Sequence, residues 1–256
     1  MIEIKNLTKS FGDLLVWKDV SFDIEDGETV AIIGRSGCGK SVLVKHLNAL
    51  IYPDSGEVYI DGQNVFELEY VELRKMRQRF GVLFQGSALF DSINTFENVA
   101  FPMRYFTDFT EQQITEKVHH ALDMVNLLEA ADKDTSELSG GMRRRVALAR
   151  ATVLQPDFLI YDEPTSGLDP QTSDEINKLI TSLGSNLNIT SIVVTHDIHS
   201  VLNIAEKVAF LHEQRLWWHG TVDELRRSSN KELLDFVKAS EYQIKSNKEK
   251  FIDENQ

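Results

Sequence analysis

A glycine-rich segment, residues 34–41 with the sequence GRSGCGKS, constrains the fold of this chain more than any other feature. It follows a short apolar run at 29–33, which predicts a buried strand, and precedes helical spacing of apolar residues over 41–50. Glycines in such a turn let main-chain amides point inward at the start of a helix, where they attract anions. The pattern therefore predicts a phosphate-binding loop formed by Gly34, Arg35, Ser36, Gly37, Cys38, Gly39, Lys40 and Ser41.

Two side chains of this loop, and two acids that follow a later strand, have predicted roles. Lys40 is expected to reach the β- and γ-phosphates of a nucleotide, and Ser41 to bind Mg²⁺ through its hydroxyl. Such a loop needs an acid at the end of a neighbouring strand to hold the metal. The run 158–161 ends in Asp162 and Glu163, so we assign Asp162 to the metal and Glu163 to polarising a water as general base. A strand that ends in a solvated acidic pair is the alternative.

A second helix end with open amides is predicted at Ser139, Gly140 and Gly141. Ser139 can cap the helix, and the two glycines leave main-chain N–H groups uncovered. In isolation, an ordinary capped helix start explains this segment better than an anion site does. The arginines at 143–145 are expected to be solvated, with one of them available to neutralise phosphate.

Strand-like runs alternate with helical patterns, which predicts an α/β fold. Asp26-Gly27 and Asp61-Gly62 each stand between apolar runs, as hairpin turns do, so antiparallel hairpins are expected before a parallel sheet. From about residue 91 to 134 the strand signals fade, which predicts an inserted helical lobe. A helix in this lobe begins with a capping box at 110–113 and has an apolar face of Ile114, Val118, Leu122, Val125 and Leu128.

The C-terminal part returns to the alternation of strands and helices. Asp169 and Pro170 predict a helix start, and 189–195 predicts a buried strand. Residues 208–212 and 215–219 predict a closing hairpin, and 223–246 predicts one charged helix.

Charge and composition exclude several classes of protein. The 256 residues carry 27 Lys and Arg against 40 Asp and Glu, a formal net charge of −13, whereas nucleic-acid binding needs a basic face. Cys38 is the only cysteine, so no intrachain disulfide can form and a cytosolic location is expected. No apolar run approaches the roughly 20 residues that a membrane-spanning helix needs.

Together these motifs resemble the ATPase subunits of ABC transporters over residues 2–225. Residues 138–142 are similar to the signature of that family, with Met142 where glutamine is usual. The resemblance implies an α/β P-loop NTPase core of the RecA-like type, with a mostly parallel sheet, an N-terminal antiparallel β subdomain and an inserted helical lobe at about 88–150. It also implies a single ATPase domain over 1–246 and a charged C-terminal tail over 228–256.

The resemblance also implies further site residues. Gln85 resembles the glutamine that senses the γ-phosphate and the metal, and His196 resembles the switch histidine. Asp169 lies in a segment, 166–169, that is similar to the D-loop, and by position Phe11 resembles the aromatic residue that stacks on adenine. The implied catalytic residues are Glu163, His196 and Gln85, and the implied metal ligands are Ser41, Gln85 and Asp162.

Members of this family bind ATP in a head-to-tail homodimer, between the phosphate-binding loop of one subunit and the signature helix of the other. The resemblance therefore implies ATP and Mg²⁺ as cofactors and a second copy of the chain as a partner. The implied nucleotide contacts are Phe11, residues 34–41, Ser139, Gly140, Gly141 and Asp169.

Within the family, three stretches are similar to the Mla-type (Mkl-type) phospholipid-transport ATPases: 84–102, the signature ending in Met142, and 200–205. This similarity implies an integral-membrane permease, an MCE-type lipid-binding protein and in some systems a STAS-domain protein as partners, at the cytoplasmic face of the cell (inner) membrane. A polar amino-acid importer ATPase is the alternative within the family. A DNA-repair or translation ATPase is disfavoured because the chain has one loop of this kind and no long coiled coil, and a nucleotide switch without turnover is a further alternative.

Overall fold

Strands and helices alternate over residues 1–239, the part of the chain that the computed structural model describes. Two short 3-10 helices, Leu128–Ala130 and Thr135–Glu137, lie between the fourth and fifth α-helices. The elements in chain order are β1 (Ile2–Phe11), β2 (Leu14–Ile24), β3 (Thr29–Gly34), α1 (Lys40–Leu47), β4 (Ser55–Ile60), β5 (Gln63–Asn64), α2 (Tyr70–Gln78), β6 (Phe80–Leu83), α3 (Thr95–Phe106), α4 (Glu111–Met124), α5 (Gly140–Thr152), β7 (Phe158–Asp162), α6 (Pro170–Leu187), β8 (Thr190–Thr195), α7 (Ile198–Ile204), β9 (Lys207–His212), β10 (Arg215–Thr221) and α8 (Val222–Arg227).

Two sheets form the framework. The smaller sheet has the order β2-β1-β4-β5 and is antiparallel throughout. The larger sheet has the order β10-β9-β3-β8-β7-β6 and is parallel except for β10, which forms the predicted closing hairpin with β9. The predicted fold class, a mostly parallel α/β sheet with an antiparallel β subdomain, is confirmed.

The two Asp-Gly turns differ in what they join. Asp61-Gly62 joins β4 to β5, which pair in antiparallel register, as predicted. The hairpin prediction at Asp26-Gly27 is wrong, because this turn joins β2 to β3, which lie in different sheets. β3 is apolar and almost wholly buried, as a central parallel strand must be, and the Gly27 amide donates to Thr190 Oγ1 (2.9 Å) at the start of β8.

Helices α3, α4 and α5 occupy the chain between β6 and β7 and share one apolar core. The predicted capping box is present, with Thr110 and Gln113 bonded reciprocally. The predicted apolar face of α4 is buried except at Leu128, where the prediction is wrong: this side chain is 42% exposed. α4 ends at Met124, and Asn126 then adopts a left-handed φ of 55° that turns the chain out of the helical repeat.

Two predicted helices end early. α1 ends at Leu47, short of residue 50, because Ala49 takes a left-handed φ of 51°. The single helix predicted over 223–246 is interrupted: α8 ends at Arg227, and helix resumes over 231–239 with Asn230 Oδ1 accepting from the Leu233 amide (3.0 Å). The remainder of that prediction and most of the predicted tail lie outside the described residues.

Within residues 1–239, every helix is too short or too polar to cross a bilayer.

Candidate functional site

The predicted phosphate-binding and acidic residues meet at the carboxyl ends of three parallel strands. β3 leads into the loop at 34–41, β7 ends at Asp162, and β8 ends just before His196. The expectation that the acid follows a strand next to β3 is wrong, because β8 lies between β3 and β7. Asp162 still reaches the loop, since its carboxylate oxygens lie 3.2 and 3.3 Å from Ser41 Oγ.

Glycine is required in the loop at two positions. Gly37 and Gly39 have left-handed φ values of 79° and 88°, which cost a residue with a side chain about 1–2 kcal/mol. A Cβ on Gly39 would lie 2.4 Å from Val16 Cγ1, so a larger residue would also displace the neighbouring strand. Among residues 1–239, no side chain caps the start of α1, which leaves its first amides available to an anion.

Lys40 is buried and lies against its own loop. Its Nζ donates to the carbonyl oxygens of Gly34 (2.8 Å) and Arg35 (3.2 Å). Both acceptors are neutral, so a phosphate oxygen offers the ammonium a stronger, charge-assisted hydrogen bond. The geometry fits a lysine that exchanges two main-chain contacts for a phosphate.

Ser41 and Asp162 form the part of the predicted metal site that the structure brings together. Burial raises the pKa of the Asp162 carboxyl, and the charge of Glu163 acts in the same direction. A hydroxyl beside a half-buried carboxylate is the donor set that suits Mg²⁺, which takes one or two carboxylates together with substrate phosphates. Gln85 lies in an exposed turn after β6, and in the described part of the chain no hydrogen bond joins it to Ser41 or Asp162.

Glu163 and His196 are bonded to each other. His196 Nδ1 lies 2.9 and 3.0 Å from the two Glu163 carboxylate oxygens, which requires that Nδ1 carry the proton and donate. Thr195 Oγ1 donates to Glu163 Oε2 (3.3 Å), and the Glu163 amide donates to Val194 O (2.8 Å). The carboxylate is therefore held on two sides, while His196 itself is 58% exposed in its side chain.

A buried polar network behind His196 was missed by the sequence analysis. Asp197 caps α7, and its Oδ2 accepts from Ser200 Oγ (2.6 Å) and Thr165 Oγ1 (3.4 Å). Asn177 on α6 donates to Ser200 Oγ (2.9 Å). The signal that could have found it is the acid at the start of a short helix followed three residues later by serine.

The Ser139 helix end has the form that the sequence predicts. Ser139 Oγ accepts from the Met142 amide (3.2 Å), and Ser139 and Gly140 are exposed. Gly141 lies close to α6, since a Cβ there would lie 2.7 Å from Thr172 Cγ2. The exposure of Ser139 and Gly140 is the feature that distinguishes this end from a buried cap.

The arginines at 143–145 are not all solvated, so that prediction is wrong for Arg144. Its side chain is buried, and it donates to the carbonyl oxygens of Phe84 and Ser166, both at 3.2 Å. Arg145 is ion-paired with Glu175 on α6, and Arg143 donates to Leu138 O (3.0 Å). The residue types do not distinguish the buried member, because all three are arginine. Consecutive helical residues point in different directions, so only one of the three faces these two carbonyls.

Two further predicted residues lie at exposed positions. Phe11 ends β1 with 47% of its surface exposed, and Lys9 Nζ lies 5.3 Å from its ring centroid. Asp169 caps α6 by accepting from Thr172 Oγ1 (2.6 Å) and the Thr172 amide (3.0 Å), and these bonds lower the pKa of its carboxyl.

Comparison with known proteins adds three curated relatives that match nearly the whole chain. The sequence profile of the ABC transporter family matches residues 17–166. The intermembrane phospholipid transport system ATP-binding protein MlaF of Haemophilus influenzae is 42% identical over 93% of this chain and 90% of its own length. The probable ribonucleotide transport ATP-binding protein mkl of Mycobacterium leprae is 39% identical over 92% and 68%, and the methionine import ATP-binding protein MetN of Clostridium tetani is 39% identical over 94% and 76%.

Two solved structures have the same fold. The ATP-binding cassette MJ0796, in a dimeric post-hydrolysis state bound to ADP and Pi, superposes with a TM-score of 0.78 at 32% identity, covering 87% of this chain and 99% of that one. CbiO1 of Clostridium perfringens, part of the ABC transporter complex cbiONQ, has a TM-score of 0.82 at 31% identity and covers 97% of this chain and 98% of that one.

Proposed function

The chain belongs to the ABC transporter family as an ATP-binding and ATP-hydrolysing subunit, and we propose that it powers the transport of phospholipid across or between membranes with a separate permease. The similarity to the Haemophilus influenzae MlaF protein carries this proposal, because it extends over nearly the whole length of both chains. Similarity to the MetN protein of Clostridium tetani favours one alternative, the import of an amino acid.

The ATP triphosphate is proposed to lie in the loop at 34–41. The open amides of α1 bind its oxygens, and Lys40 Nζ leaves the carbonyls of Gly34 and Arg35 to bind the β- and γ-phosphates. Phe11 supplies an exposed ring for the adenine. Because these groups belong to one subunit, a single chain should bind ATP without a partner.

The side chains around the γ-phosphate are proposed to position a water. Glu163 accepts a hydrogen bond from that water and serves as its general base, while His196 Nδ1–H and Thr195 Oγ1–H fix the orientation of the carboxylate. Ser41, Asp162 and Gln85 are the proposed ligands of Mg²⁺, which would neutralise charge on the phosphates when bound. Hydrolysis then depends mainly on positioning and electrostatics.

A second copy of the chain is proposed to complete each site. The Ser139 hydroxyl and the amides of Gly140, which is exposed, and Gly141, which is half-buried, form an anion-binding helix end. A head-to-tail homodimer, with Asp169 near the junction, would bring this end onto the γ-phosphate bound by the other copy. The dimeric state of the ADP-bound cassette supports this arrangement.

The permease is proposed to dock on the part of the helical lobe around 88–104 and on the turn that carries Gln85. A groove of about 640 Å³ opens there between α2, α3 and α5. Six of the aromatic residues that line it are exposed, although aromatic surface of this kind is usually buried. They are Tyr70, Phe84, Phe90, Phe101, Tyr105 and Phe106.

The remaining partners and the location follow from the proposed transport system. An MCE-type lipid-binding protein would exchange the lipid, and a STAS-domain protein would bind this subunit. The chain would then lie on the cytoplasmic face of the cell membrane, held there by the permease. The STAS-domain protein is proposed to bind the helical lobe.

Reconstitution tests the proposed cargo. The chain and its permease are placed in vesicles that contain a fluorescent phosphatidylethanolamine, and ATP-dependent lipid movement is measured beside uptake of labelled methionine. We expect lipid movement that stops in the Glu163→Gln variant, with no ATP-dependent methionine uptake. Methionine uptake without lipid movement would contradict the phospholipid proposal and support the alternative.

A further inference from the structure

The Arg144 guanidinium is buried without an acid beside it. Only 4% of the residue is exposed, and no carboxylate of residues 1–239 is ion-paired with it. Its acceptors are two main-chain carbonyl oxygens, and its Nε has no partner in the described part of the chain. Burial lowers the pKa of the guanidinium, because removing the charged form from water is unfavourable. A buried charge without an ion-pair partner destabilises the fold, so stability does not explain why an arginine lies here.

The two carbonyls belong to the two turns that carry proposed site residues. Phe84 O also accepts from the Ser87 amide (2.9 Å), which closes the turn containing Gln85. Ser166 belongs to the turn that begins at Glu163, because the Ser166 amide donates to Glu163 O (3.2 Å). Arg144 therefore bonds directly both to the turn that contains Gln85 and to the turn that begins at Glu163.

The order of the strands explains why one side chain can reach both turns. β6 and β7 are parallel neighbours, with Leu83 opposite Tyr161, so the turns that follow them leave the sheet side by side. Helix α5 lies across β6 and places Arg144 between the turns. The forked guanidinium can donate to two acceptors at once, which a lysine or glutamine of that length cannot do with the same rigidity.

We propose that Arg144 is a positioning residue for ATP hydrolysis, which holds the Gln85 turn and the Glu163 turn in one fixed arrangement. The inference rests on the proposed roles of Gln85 and Glu163 in the hydrolytic site. It goes beyond them because Arg144 itself touches neither the phosphates nor the water. A shift of either turn must move the guanidinium, so the two turns change position together.

Arg150 on the same helix supplies an internal comparison. Its Nη1 and Nη2 donate to Ala88 O (2.9 Å) and Ser87 O (3.0 Å), so it holds the chain after Gln85 but contacts nothing in the Glu163 turn. Arg145 provides a neutral control, since its partner is the partly exposed Glu175 on α6. Arg144 thus contacts both turns, Arg150 contacts one turn, and Arg145 contacts neither.

The test compares Arg144→Met, Arg150→Met and Arg145→Met in the full chain without nucleotide, by amide hydrogen exchange. In Arg144→Met we expect faster exchange in both 84–88 and 163–168, with exchange in 34–41 unchanged. Arg150→Met should affect only the first segment and Arg145→Met neither. Faster exchange in one segment alone, or equally in 34–41, would overturn the proposal, because the side chain would then serve one turn or the general fold.

Steady-state ATP hydrolysis supplies the second readout. We expect kcat of Arg144→Met to fall about tenfold, the value of roughly one lost hydrogen bond to a charged group, while KM for ATP stays within about twofold. Arg144→Lys should recover part of kcat. An unchanged kcat, or a loss expressed only in KM, would overturn the proposal. Neither readout involves a cargo, so the phospholipid proposal can fail while this one stands.

Discussion

Two regions of the proposed site differ in how far the chain completes them by itself. The strand-end half comprises the loop at 34–41, Asp162, Glu163 and His196, and its side chains already bond to one another. The signature half comprises Ser139, Gly140 and Gly141. Among residues 1–239, Ser139 bonds only within its own helix, to the amides of Met142 and Arg143. The first half therefore has hydrogen bonds between its side chains before a ligand binds, whereas the second is a helix end that has no such partner from elsewhere in the described part of the chain.

This difference indicates which groups are already ordered before ATP binds. Hydrogen bonds in the strand-end half fix the carboxylate of Glu163 and the hydroxyl of Ser41, so little ordering remains for those groups on binding. The signature half gains partners only when another molecule arrives. Binding and hydrolysis should therefore respond differently to changes in the two halves.

The largest expected effect separates hydrolysis from binding within the strand-end half. Glu163→Gln removes the general base, so we expect kcat to fall by about 10² to 10⁴ while ATP still binds and the dimer persists. Colorimetric phosphate release measures kcat. Light scattering after size exclusion in ATP measures whether the ATP-bound dimer persists. Glu213→Gln, an exposed acid in the β9–β10 turn, is the control. Normal turnover in Glu163→Gln would remove that residue from its role.

A smaller loss is expected from the phosphate contact of the same half. Lys40→Ala removes a charge-assisted bond to phosphate, so ATP affinity should weaken about 10- to 100-fold, as measured by calorimetry. Lys45→Ala, at an exposed position on the same helix, should bind ATP like the unaltered chain. If both lysine variants bound ATP equally well, the phosphate-binding assignment of the loop would be contradicted.

A still smaller effect is expected at the edge of the strand-end half. Phe11→Ala removes a stacking ring, so ATP affinity should weaken about two- to tenfold, with thermal stability unchanged because the ring is exposed. Leu14→Ala, across the β1–β2 turn, is the control. Fluorescence titration with an adenine nucleotide measures the change. Equal affinities for the two variants would remove Phe11 from the adenine site.

The smallest expected effect is on stability. Burial holds the folded-state pKa of Asp162 above its unfolded value, so the ionised carboxylate destabilises the nucleotide-free fold at neutral pH. Asp162→Asn should therefore melt at a slightly higher temperature in EDTA. The gap should close as pH falls through the raised pKa, because the carboxyl of the unaltered chain then takes up its proton. A variant that melts lower at neutral pH would contradict this prediction.

Local patterns in the sequence predicted the parts of the site that local geometry determines. The loop at 34–41 is specified by glycines whose φ only glycine adopts at low cost, and the caps at Ser139 and Asp169 are specified by a short polar side chain. The alternation of strands and helices likewise predicted the α/β class.

Features that depend on packing between distant segments could not be predicted from the sequence. The insertion of β8 between β3 and β7 is a property of sheet order, and spacing along the chain carries no trace of it. The Asp26-Gly27 turn has the composition of a hairpin but connects two sheets. Arg144 is buried only because two turns from other parts of the chain meet over α5, and its two neighbours have the same side chain.

The central claim is that the strand-end half of one copy and the signature half of another form one hydrolytic site, and complementation tests it most directly. Lys40→Ala disables the first half and Ser139→Arg blocks the second, so each variant alone should hydrolyse almost no ATP. A mixture should regain clear ATPase activity, because a mixed dimer contains one site with both halves intact. A mixture of folded, dimerising variants that stays as inactive as its components would contradict the account.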